Sequence, residues 1–395
     1  MPPSLRIWHI MVAGAAILLL FGGISPGDAI TAIDWNVIAY LFGVFSIAAS
    51  LYDTGLSHLL GRRIAASGAP RLAFAAFLAS AALCSAVLTN DAAAVIFTPI
   101  ALMLAREKGM APASLVLGLC AAVTAGSMAS PVGNPQNILI AVRGGVESPV
   151  PTFALWLGPP ALLSLAFVHI RFARHLAAPE FHGGQRFDGN LPPSLSDRRW
   201  PALLAVLLLV SMIMLDAASR IAGAEYGLPF GFASLVACMP VYLFGKRRLA
   251  VFKGADWPTL AFFVAMFVVT GALLRSGALQ ALLGSMQQRL AEPEVTALVS
   301  YLASQLFSNV PVVDLYLQLL PEKNTLGLMT LAGISTLAGN LFIISAASNV
   351  IVVQQSERLG FRPFTFWQFT AAVLPVAIFS VAVTYGWLMM LASFR

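Results

Sequence analysis

Long apolar stretches constrain the fold of this chain more than any other feature of its sequence. A helix needs about 20 apolar residues to cross the roughly 30 Å hydrocarbon core of a bilayer. Nine stretches approach or exceed that length: 7–23, 35–53, 112–141, 153–173, 201–219, 226–245, 257–274, 326–353 and 366–392. Charged residues make up only 10% of the 395 residues, against about 25% in a soluble domain. The sequence therefore predicts an all-α polytopic membrane protein and excludes a cytosolic enzyme, a disordered chain and a disulfide scaffold.

Two further apolar segments, 71–105 and 295–320, are interrupted by polar residues near their middles. Thr89-Asn90-Asp91 divides the first segment, and Ser308-Asn309-Val310-Pro311 divides the second. Each half has about 9–18 residues, which is short for a membrane crossing. Backbone can turn inside the membrane where it lines a protein cavity. We therefore predict two re-entrant hairpins in addition to about nine spans.

The distribution of basic residues agrees with the hairpins and predicts which side of the membrane each loop occupies. We placed the N-terminus inside and let both hairpins return to their side of entry. Of the 23 Lys and Arg, 17 then lie inside and six lie outside. The six external residues are Arg143, Arg220, Arg275, Arg289, Lys323 and Arg395. Cytoplasmic loops carry an excess of Lys and Arg. The pattern predicts a multi-pass protein of the bacterial inner (plasma) membrane with a cytoplasmic N-terminus and an external C-terminus. It also accounts for the net charge of +6 without a nucleic-acid partner.

Polar landmarks recur at a nearly constant spacing, which indicates an internal repeat. The matched pairs, 222, 219 and 212 positions apart, are Asp34 and Asp256, Asn90 and Asn309, and Asn137 and Asn349. On the predicted sidedness the two copies have opposite orientations in the membrane. Inverted-topology repeats of this kind are common among secondary transporters.

The repeat predicts a division of the chain into three parts. The first inverted repeat, 1–175, contains the hairpin 71–105 and a broken helix at 112–141. A cytoplasmic linker follows at 176–200. The second inverted repeat, 201–395, contains the hairpin 295–320 and a broken helix at 326–353. The linker is rich in Pro, Gly, Ser and charged residues. The stretch 201–219 has no partner in the first copy.

The predicted broken helices carry polar interruptions that match the two hairpin tips. The segment 130–137 contains two prolines and a glycine, which remove or weaken helical hydrogen bonds. Its counterpart, 345–349, contains no proline. Carbonyls freed by such a break can coordinate a cation, and the N-termini of half-helices attract anions. Asn and Ser in membrane helices can also serve only to join helices, but four interruptions in symmetric places favour a binding site.

Asp91 is the sharpest single candidate, because a carboxylate in the middle of a membrane is costly and usually functional. It could bind a cation or carry a proton. Asp314 is similar but lies nearer the predicted outer mouth. The candidate solute- and ion-binding residues are Thr89, Asn90, Asp91, Gly133, Asn134, Asn137, Ser308, Asn309, Asp314, Ser348 and Asn349.

Motifs for other chemistry do not occur in the sequence. The five histidines have no H-E-x-x-H or other metal-ligand spacing. There is no G-x-S-x-G motif, Walker loop or Gly-rich dinucleotide motif. We therefore expect no enzymatic activity, no catalytic residue, no cofactor and no ATPase subunit.

Two strings of residues carry a family resemblance. They are Thr89-Asn-Asp-Ala-Ala-Ala-Val-Ile-Phe-Thr-Pro99 and Ser130-Pro-Val-Gly-Asn-Pro-Gln-Asn-Ile-Leu-Ile140. The chain resembles the ArsB/NhaD-type permeases of the ion transporter superfamily, and among them it is most similar to YbiR-like inner-membrane transporters. The resemblance extends over about residues 30–355.

The resemblance implies an inverted-repeat fold, a homodimer, and an elevator-like movement of the hairpin domain against a scaffold. It also implies a site for Na⁺ and a carboxylate at the hairpin tips and helix breaks. The matching positions are 89–91, 134–137, 308–310 and 348–349. The third tip residue is Asp91 in one copy and Val310 in the other, so a symmetric two-sodium site is not expected. An intramembrane aspartate is more similar to the proton-coupled or Na⁺/H⁺-exchanging relatives.

These observations predict a secondary active transporter, coupled to H⁺ or Na⁺, for an anion or oxyanion of arsenite or carboxylate type. Asn90, Asn137, Asn309 and Asn349 would frame the site, and a Na⁺ ion would lie at Asn90, Asp91 and Asn137. The alternative is a Na⁺/H⁺ antiporter. The expected partners are a small ionic solute, the lipid bilayer and a second copy of the chain. We expect no membrane-embedded Arg or Lys, which favours a small, weakly charged solute.

Overall fold

The computed structural model describes residues 7–177, 199–224, 227–278, 281, 284–320 and 323–394, and within them all regular structure is helical. The first nine helices are α1 Ile7–Leu20, α2 Pro26–Ala32, α3 Trp35–Asp53, α4 Leu56–Ala65, α5 Pro70–Val87, α6 Asn90–Lys108, α7 Pro112–Met128, α8 Pro135–Arg143 and α9 Pro149–Ala173. The others are α10 Trp200–Ile221, α11 Phe230–Phe244, α12 Arg248–Gly254, α13 Trp257–Arg275, α14 Pro293–Phe307, α15 Asn309–Leu319, α16 Thr325–Ala338, α17 Ala347–Arg358 and α18 Phe366–Ser393. Two 3₁₀ segments are Gly284–Ala291 and Ile343–Ser345.

The membrane-crossing helices follow the apolar stretches of the sequence. Six described helices are long and apolar enough to cross a bilayer, namely α3, α5, α9, α10, α13 and α18, and α1, α7, α11 and α16 are shorter apolar helices. Both predicted broken helices are interrupted, because α7 is followed by the separate helix α8 and α16 by α17. With α5 and α6, and likewise α14 and α15, assigned to hairpins, the described part of the chain has nine apolar spans and two hairpins. The predicted all-α polytopic fold is confirmed.

Each hairpin returns to the face from which it enters. In the first, Lys108 Nζ at the end of α6 donates a hydrogen bond to the Gly68 carbonyl just before α5, at 2.9 Å. In the second, Tyr316 Oη near the end of α15 donates to the Leu290 carbonyl just before α14, at 2.7 Å. The arms of the first hairpin have 18 and 19 residues. The second arm is longer than the expected half-span, because α6 continues to Lys108, beyond the apolar segment. The contacts between the ends, not the arm lengths, therefore identify the hairpin.

Two ion pairs show that the copies run in opposite directions. Arg247 Nη1 lies 2.8 Å from Asp53 Oδ1, which joins the end of α3 to the chain before α13. Arg275 Nη1 lies 2.5 Å from Asp28 Oδ1, which joins the end of α13 to the chain before α3. Helices α3 and α13 are thus antiparallel, as inverted repeats require. We call the side with Asp53 and Arg247 the Asp256 face, and the side with Asp28 and Arg275 the Asp34 face.

The helices α3 and α13 begin in the same way, which explains the sequence signature of the repeat. Asp34 caps α3 by accepting a hydrogen bond from Val37 N, and Asp256 caps α13 by accepting one from Thr259 N, each at 3.2 Å. A carboxylate at this position satisfies an otherwise unpaired N–H of the first helical turn. Helix α11 packs along α3 with backbone contact at Gly43, and α1 packs along α13.

The predicted linker, 176–200, lies mostly outside the described residues, since 178–198 are not among them. The domain boundaries at 175 and 201 therefore stay a prediction. The assignment of the Asp256 face to the cytoplasm, and with it the location of the termini, also stays a prediction from the charge distribution.

Candidate functional site

The first hairpin tip and the first helix break meet inside the protein. Asn90 N, at the start of α6, donates a hydrogen bond to the Gly133 carbonyl in the break, at 2.9 Å. Tyr40 Oη on α3 is 3.2 Å from both the Leu88 and the Val132 carbonyl oxygens. Tyr40 is fully buried, and its hydroxyl joins the tip to the break within the first repeat. Sequence reasoning missed Tyr40, which lies in an unbroken apolar stretch.

Two asparagines hold the first break in shape. Asn134 Oδ1 caps α8 by accepting a hydrogen bond from Asn137 N at 2.8 Å. Asn137 Nδ2 donates to the carbonyls of Ser127 and Ser130, at 3.1 and 2.9 Å. These are carbonyls that a continuous helix would have paired with its own N–H groups. Asn134 and Asn137 therefore replace helical hydrogen bonds where the chain leaves α7 and re-enters a helix at α8.

Contacts also join the two copies. Asn134 Nδ2 donates to Thr336 Oγ1 on α16 at 3.1 Å. Thr336 Oγ1 is 3.4 Å from Asn137 Oδ1. The end of α16 is thus tied to the start of α8, which brings the second break beside the first. Thr336 gave no signal in the sequence, because a lone threonine in an apolar helix usually bonds to its own backbone.

The second tip and break are close together but less fully hydrogen-bonded than the first. Asn349 Nδ2 donates to the Gly339 carbonyl at 2.8 Å, and a Cβ at Gly339 would lie 3.3 Å from Asn309 Nδ2. Several buried oxygens here have no hydrogen-bond partner in the structure: Asn309 Oδ1, Asn340 Oδ1, Ser348 Oγ and Asn349 Oδ1. Buried polar atoms normally have partners, and oxygen atoms are the ligands of hard cations. These unpaired oxygens make the second tip and break a candidate region for a small cation, and they add Asn340 to the predicted residues.

The two tips differ in backbone geometry. Thr89 is extended and caps α6, its hydroxyl accepting a hydrogen bond from Ala92 N at 3.1 Å. Ser308 has φ 69° and ψ 154°, and its side chain makes no capping bond to α15. A non-glycine residue in this region is strained, and such strain is often found at functional sites. The tip motifs are therefore related in sequence but not equivalent in structure.

Asp91 lies at the inner end of a cavity that opens on the Asp256 face. The cavity has a volume of about 420 Å³ and extends between α3, α6, the start of α13 and α17. Asp91 is 5% exposed, and its Oδ1 has no hydrogen-bond partner in the structure. Asp53, Asp256 and Arg358 also line the cavity. A free carboxylate oxygen at the end of an accessible path is suited to binding a cation or a proton.

Asp314 lies away from this cavity and is paired. Its Oδ1 lies 2.5 Å from Arg143 Nη1, and its Oδ2 accepts a hydrogen bond from Thr270 Oγ1 at 2.7 Å. Arg143 Nε is also 3.1 Å from Asp34 Oδ2. The sequence placed Arg143 in an external loop and predicted no embedded basic residue. The structure places Arg143 at the end of α8 with its guanidinium paired to both carboxylates. The sequence did not reveal these contacts, because the partners are 109 and 171 positions away, and the absence of an embedded basic residue stays a prediction.

Gly133→Ala is expected to distort the first break. A Cβ at Gly133 would lie 2.3 Å from the Ser127 carbonyl oxygen and 2.6 Å from Ser127 Cα, so the backbone must shift. We expect a loss of about 1–3 kcal/mol of stability, seen as a lower thermal midpoint in detergent, together with reduced transport. Gly158→Ala on α9 is the matched control, because a Cβ there has no atom within 4 Å. Equal midpoints for the two variants would contradict the assigned crowding.

Comparisons with known proteins agree on the class. A family model described as citrate transporter (CitMHS) matches residues 3–324. The inner membrane protein YbiR of Escherichia coli (strain K12) is 28% identical over 391 residues, which cover 98% of this chain and 96% of YbiR. The silicon efflux transporter LSI3 of Oryza sativa subsp. japonica is 25% identical, over 94% of this chain and 90% of its own.

A solved structure supports the fold. The YdaH transporter of Alcanivorax borkumensis, whose structure is described as having an unusual topology, matches with a TM-score of 0.61 over 93% of this chain and 87% of its own. At 16% identity this likeness bears on the fold alone. The family match, by contrast, covers well over half of the chain. The chain belongs to the citrate transporter family and is a multi-pass membrane transporter, not an enzyme.

Proposed function

We propose that this protein is a secondary active transporter that moves a small anion or oxyanion-type solute, of carboxylate or arsenite type, coupled to H⁺ or Na⁺. The observation that carries the proposal is the meeting of two hairpin tips and two helix breaks inside the protein. The solute would bind where the four half-helices begin. No cofactor is part of the proposal.

The direction of the half-helices favours an anion. Helices α6, α8, α15 and α17 all start at a tip or a break, so their positive dipole ends face one region. Thr89 and Asn134 already cap α6 and α8, whereas α15 and α17 have no side-chain cap, so their first-turn N–H groups are the ones offered to a solute. Helix N-termini are natural sites for carboxylate or phosphate-like groups. Neutral Asn and Ser side chains at the same places add donors without the desolvation cost of a buried charge.

Unpaired oxygens favour a coupling cation at the same region. Asp91 Oδ1 is free at the end of the cavity, and the second break carries the unpartnered oxygens of Asn309, Ser348 and Asn349. The proposed Na⁺ ligands are Asn90, Asp91 and Asn137, as the sequence predicts. In the present arrangement Asn90 Oδ1 accepts a hydrogen bond from Asp91 N at 3.0 Å, so Na⁺ would share that oxygen.

The known relatives are consistent with such a solute. The family is described by citrate transport, and the rice relative by silicon efflux. The resemblance to ArsB/NhaD-type permeases adds arsenite and proton coupling to the candidates. We also propose that the protein resides in the bacterial inner membrane, since its relative YbiR is described as an inner membrane protein. A homodimeric state is likewise part of the proposal.

One observation favours a second candidate, a Na⁺/H⁺ antiporter. The cavity carries three carboxylates, Asp53, Asp91 and Asp256, against one arginine, Arg358. An acidic, partly enclosed path concentrates cations. In this alternative Asp91 would bind Na⁺ and H⁺ in turn and no anion would be carried.

Uptake into proteoliposomes tests the proposal. Labelled citrate, arsenite and silicic acid would each be offered under an imposed pH gradient, a Na⁺ gradient or neither. We expect saturable accumulation of one solute that disappears when an ionophore collapses the driving gradient. Protein-free liposomes provide the baseline. Gradient-independent passage of every solute would contradict a coupled transporter.

Everted membrane vesicles distinguish the second candidate. Vesicles energised to an acidic interior and containing a pH-sensitive dye would receive NaCl and then LiCl. Proton release with no anion uptake in the proteoliposomes would establish the antiporter and overturn the anion proposal.

A further inference from the structure

A compact group of side chains lies on the Asp34 face. Besides its pairs with Asp34 and Asp314, the Arg143 guanidinium donates from Nη2 to the Ala32 carbonyl at 3.1 Å and lies over the Phe267 ring at 4.8 Å. Asp314 is fully buried. Asp34 caps α3, Arg143 ends α8, Asp314 lies in the second hairpin, and Phe267 and Thr270 lie on α13, so this group joins four elements. We call Asp34, Arg143, Asp314, Phe267 and Thr270 the Arg143 clasp.

The inverted repeat gives each member of the clasp a counterpart in the other copy. The 222-position offset relates Asp34 to Asp256, Phe267 to Phe45 and Thr270 to Ala48. The 212-position offset relates Arg143 to Gln355, and the 219-position offset relates Asp314 to Val95. Each of these five residues lines the 420 Å³ cavity on the Asp256 face, and so does Gly254, the counterpart of Ala32.

We propose that the Arg143 clasp is the gate of the Asp34 face and that the five counterpart residues come together as the gate of the Asp256 face in the opposite state of the transporter. In the present state the clasp is formed and its counterpart is spread around an open cavity. Opening the Asp34 face separates Arg143 and Asp314 from Asp34, Phe267 and Thr270. The inference goes beyond the proposed function, because it concerns access to the site and holds for any solute or coupling ion.

The two gates are chemically unequal. The clasp contains two carboxylates and a guanidinium in short, charge-assisted contact, which are the stronger hydrogen bonds of proteins. The counterpart positions hold a neutral amide at Gln355, an apolar side chain at Val95 and a methyl at Ala48 in place of the Thr270 hydroxyl. The five counterpart positions therefore supply no equivalent ion pair when the Asp256 face closes. The protein without solute should rest with the Asp34 face closed and the Asp256 face open.

Cysteine accessibility tests the gate without reference to any solute. In a background with Cys84, Cys120 and Cys238 replaced, a reporter cysteine is introduced at one of two positions. Ala49→Cys lies in the cavity wall. Val310→Cys lies one helical turn from Asp314 toward the second tip. A membrane-impermeant maleimide is applied from each side of reconstituted vesicles, and labelling rates are measured.

We expect the Ala49→Cys reporter to react from the Asp256 face and the Val310→Cys reporter to react slowly from the Asp34 face. Asp34→Asn removes one carboxylate from the clasp and should raise the Val310→Cys rate about tenfold, the shift expected from losing one hydrogen bond to a charged group. The matched control is Asp28→Asn, which removes the carboxylate paired with Arg275 on the same face and should change neither rate.

The converse variant rebuilds the clasp in the other copy. Gln355→Arg together with Val95→Asp places an arginine and a second carboxylate near Asp256. We expect slower labelling of the Ala49→Cys reporter and faster labelling of the Val310→Cys reporter. Unchanged rates in both Asp34→Asn and the double variant, in protein that elutes as one monodisperse species, would overturn the gate. A failed uptake assay would leave these rates unaffected, so the two proposals fail separately.

Discussion

Asp91→Asn is expected to reduce gradient-driven accumulation of solute to the level of protein-free vesicles. The carboxylate has a free Oδ1 at the end of the cavity. The amide that replaces it cannot take up and release a proton, and it offers Na⁺ no full negative charge. Exchange of labelled for unlabelled solute in the absence of a gradient should persist, because the solute would be held by helix N-termini and neutral side chains. The measurement is uptake with and without the gradient, beside counterflow, in the same proteoliposomes.

The matched control is Asp53→Asn. Asp53 lines the same cavity, but its Oδ1 is paired with Arg247, so its loss should leave coupling intact. Folding of Asp91→Asn should be preserved, since burial of a neutral amide costs less than burial of a charge. Gradient-driven accumulation that survives in Asp91→Asn would rule out Asp91 as the carrier of the coupling ion.

Arg143→Met is expected to destabilise the protein by about 3–5 kcal/mol, the cost of leaving a buried charge without its partner. Asp314 has no exposed surface and would lose its only cationic neighbour among the contacts described for it. Methionine retains the length and apolar character of the side-chain stem, so lost packing contributes little. Thermal unfolding in detergent, followed by circular dichroism, measures the effect.

Two further variants test the cause. Arg143→Met combined with Asp314→Val should recover most of the stability, because replacing both members of a buried ion pair with apolar side chains is often neutral and valine occupies the counterpart position 95. Arg275→Met should leave the midpoint unchanged, since Arg275 and Asp28 are exposed on the surface. A midpoint for the double variant as low as that of Arg143→Met alone would contradict the ion-pair explanation.

The sequence was sufficient to predict the membrane-crossing helices, the hairpins and the breaks, because each leaves a local trace. Apolar length marks a span, and a polar tip inside an apolar segment marks a turn within the membrane. The repeat register was visible because Asp34 and Asp256 cap their helices in the same way. The break before α17 was the weaker prediction without a proline, yet the helix stops at Ala338 and resumes at Ala347.

What the sequence did not reveal depends on distant contacts. Arg143 was counted as an external loop charge, and only the fold shows it between Asp34 and Asp314. The difference between the two tips was also invisible, since Thr89 and Ser308 precede equivalent asparagines but only Thr89 caps its helix. The inverted register assigns each of Asp34, Arg143 and Asp314 a position in the other copy. Asp34 keeps its charge there as Asp256, whereas Arg143 and Asp314 fall on uncharged residues.

The packing of α11 on α3 has a consequence for how this molecule can move. A Cβ at Gly43 would lie 2.6 Å from the Ser234 carbonyl oxygen, and one at Gly231 would lie 2.5 Å from the Asn36 carbonyl oxygen. Backbone touches backbone at two points seven residues apart along α3, so neither helix can roll or slide on the other without a steric clash. The two helices therefore move as one rigid body. The displacement in a transport cycle must therefore occur on the opposite side of α3, where the cavity already separates it from α6.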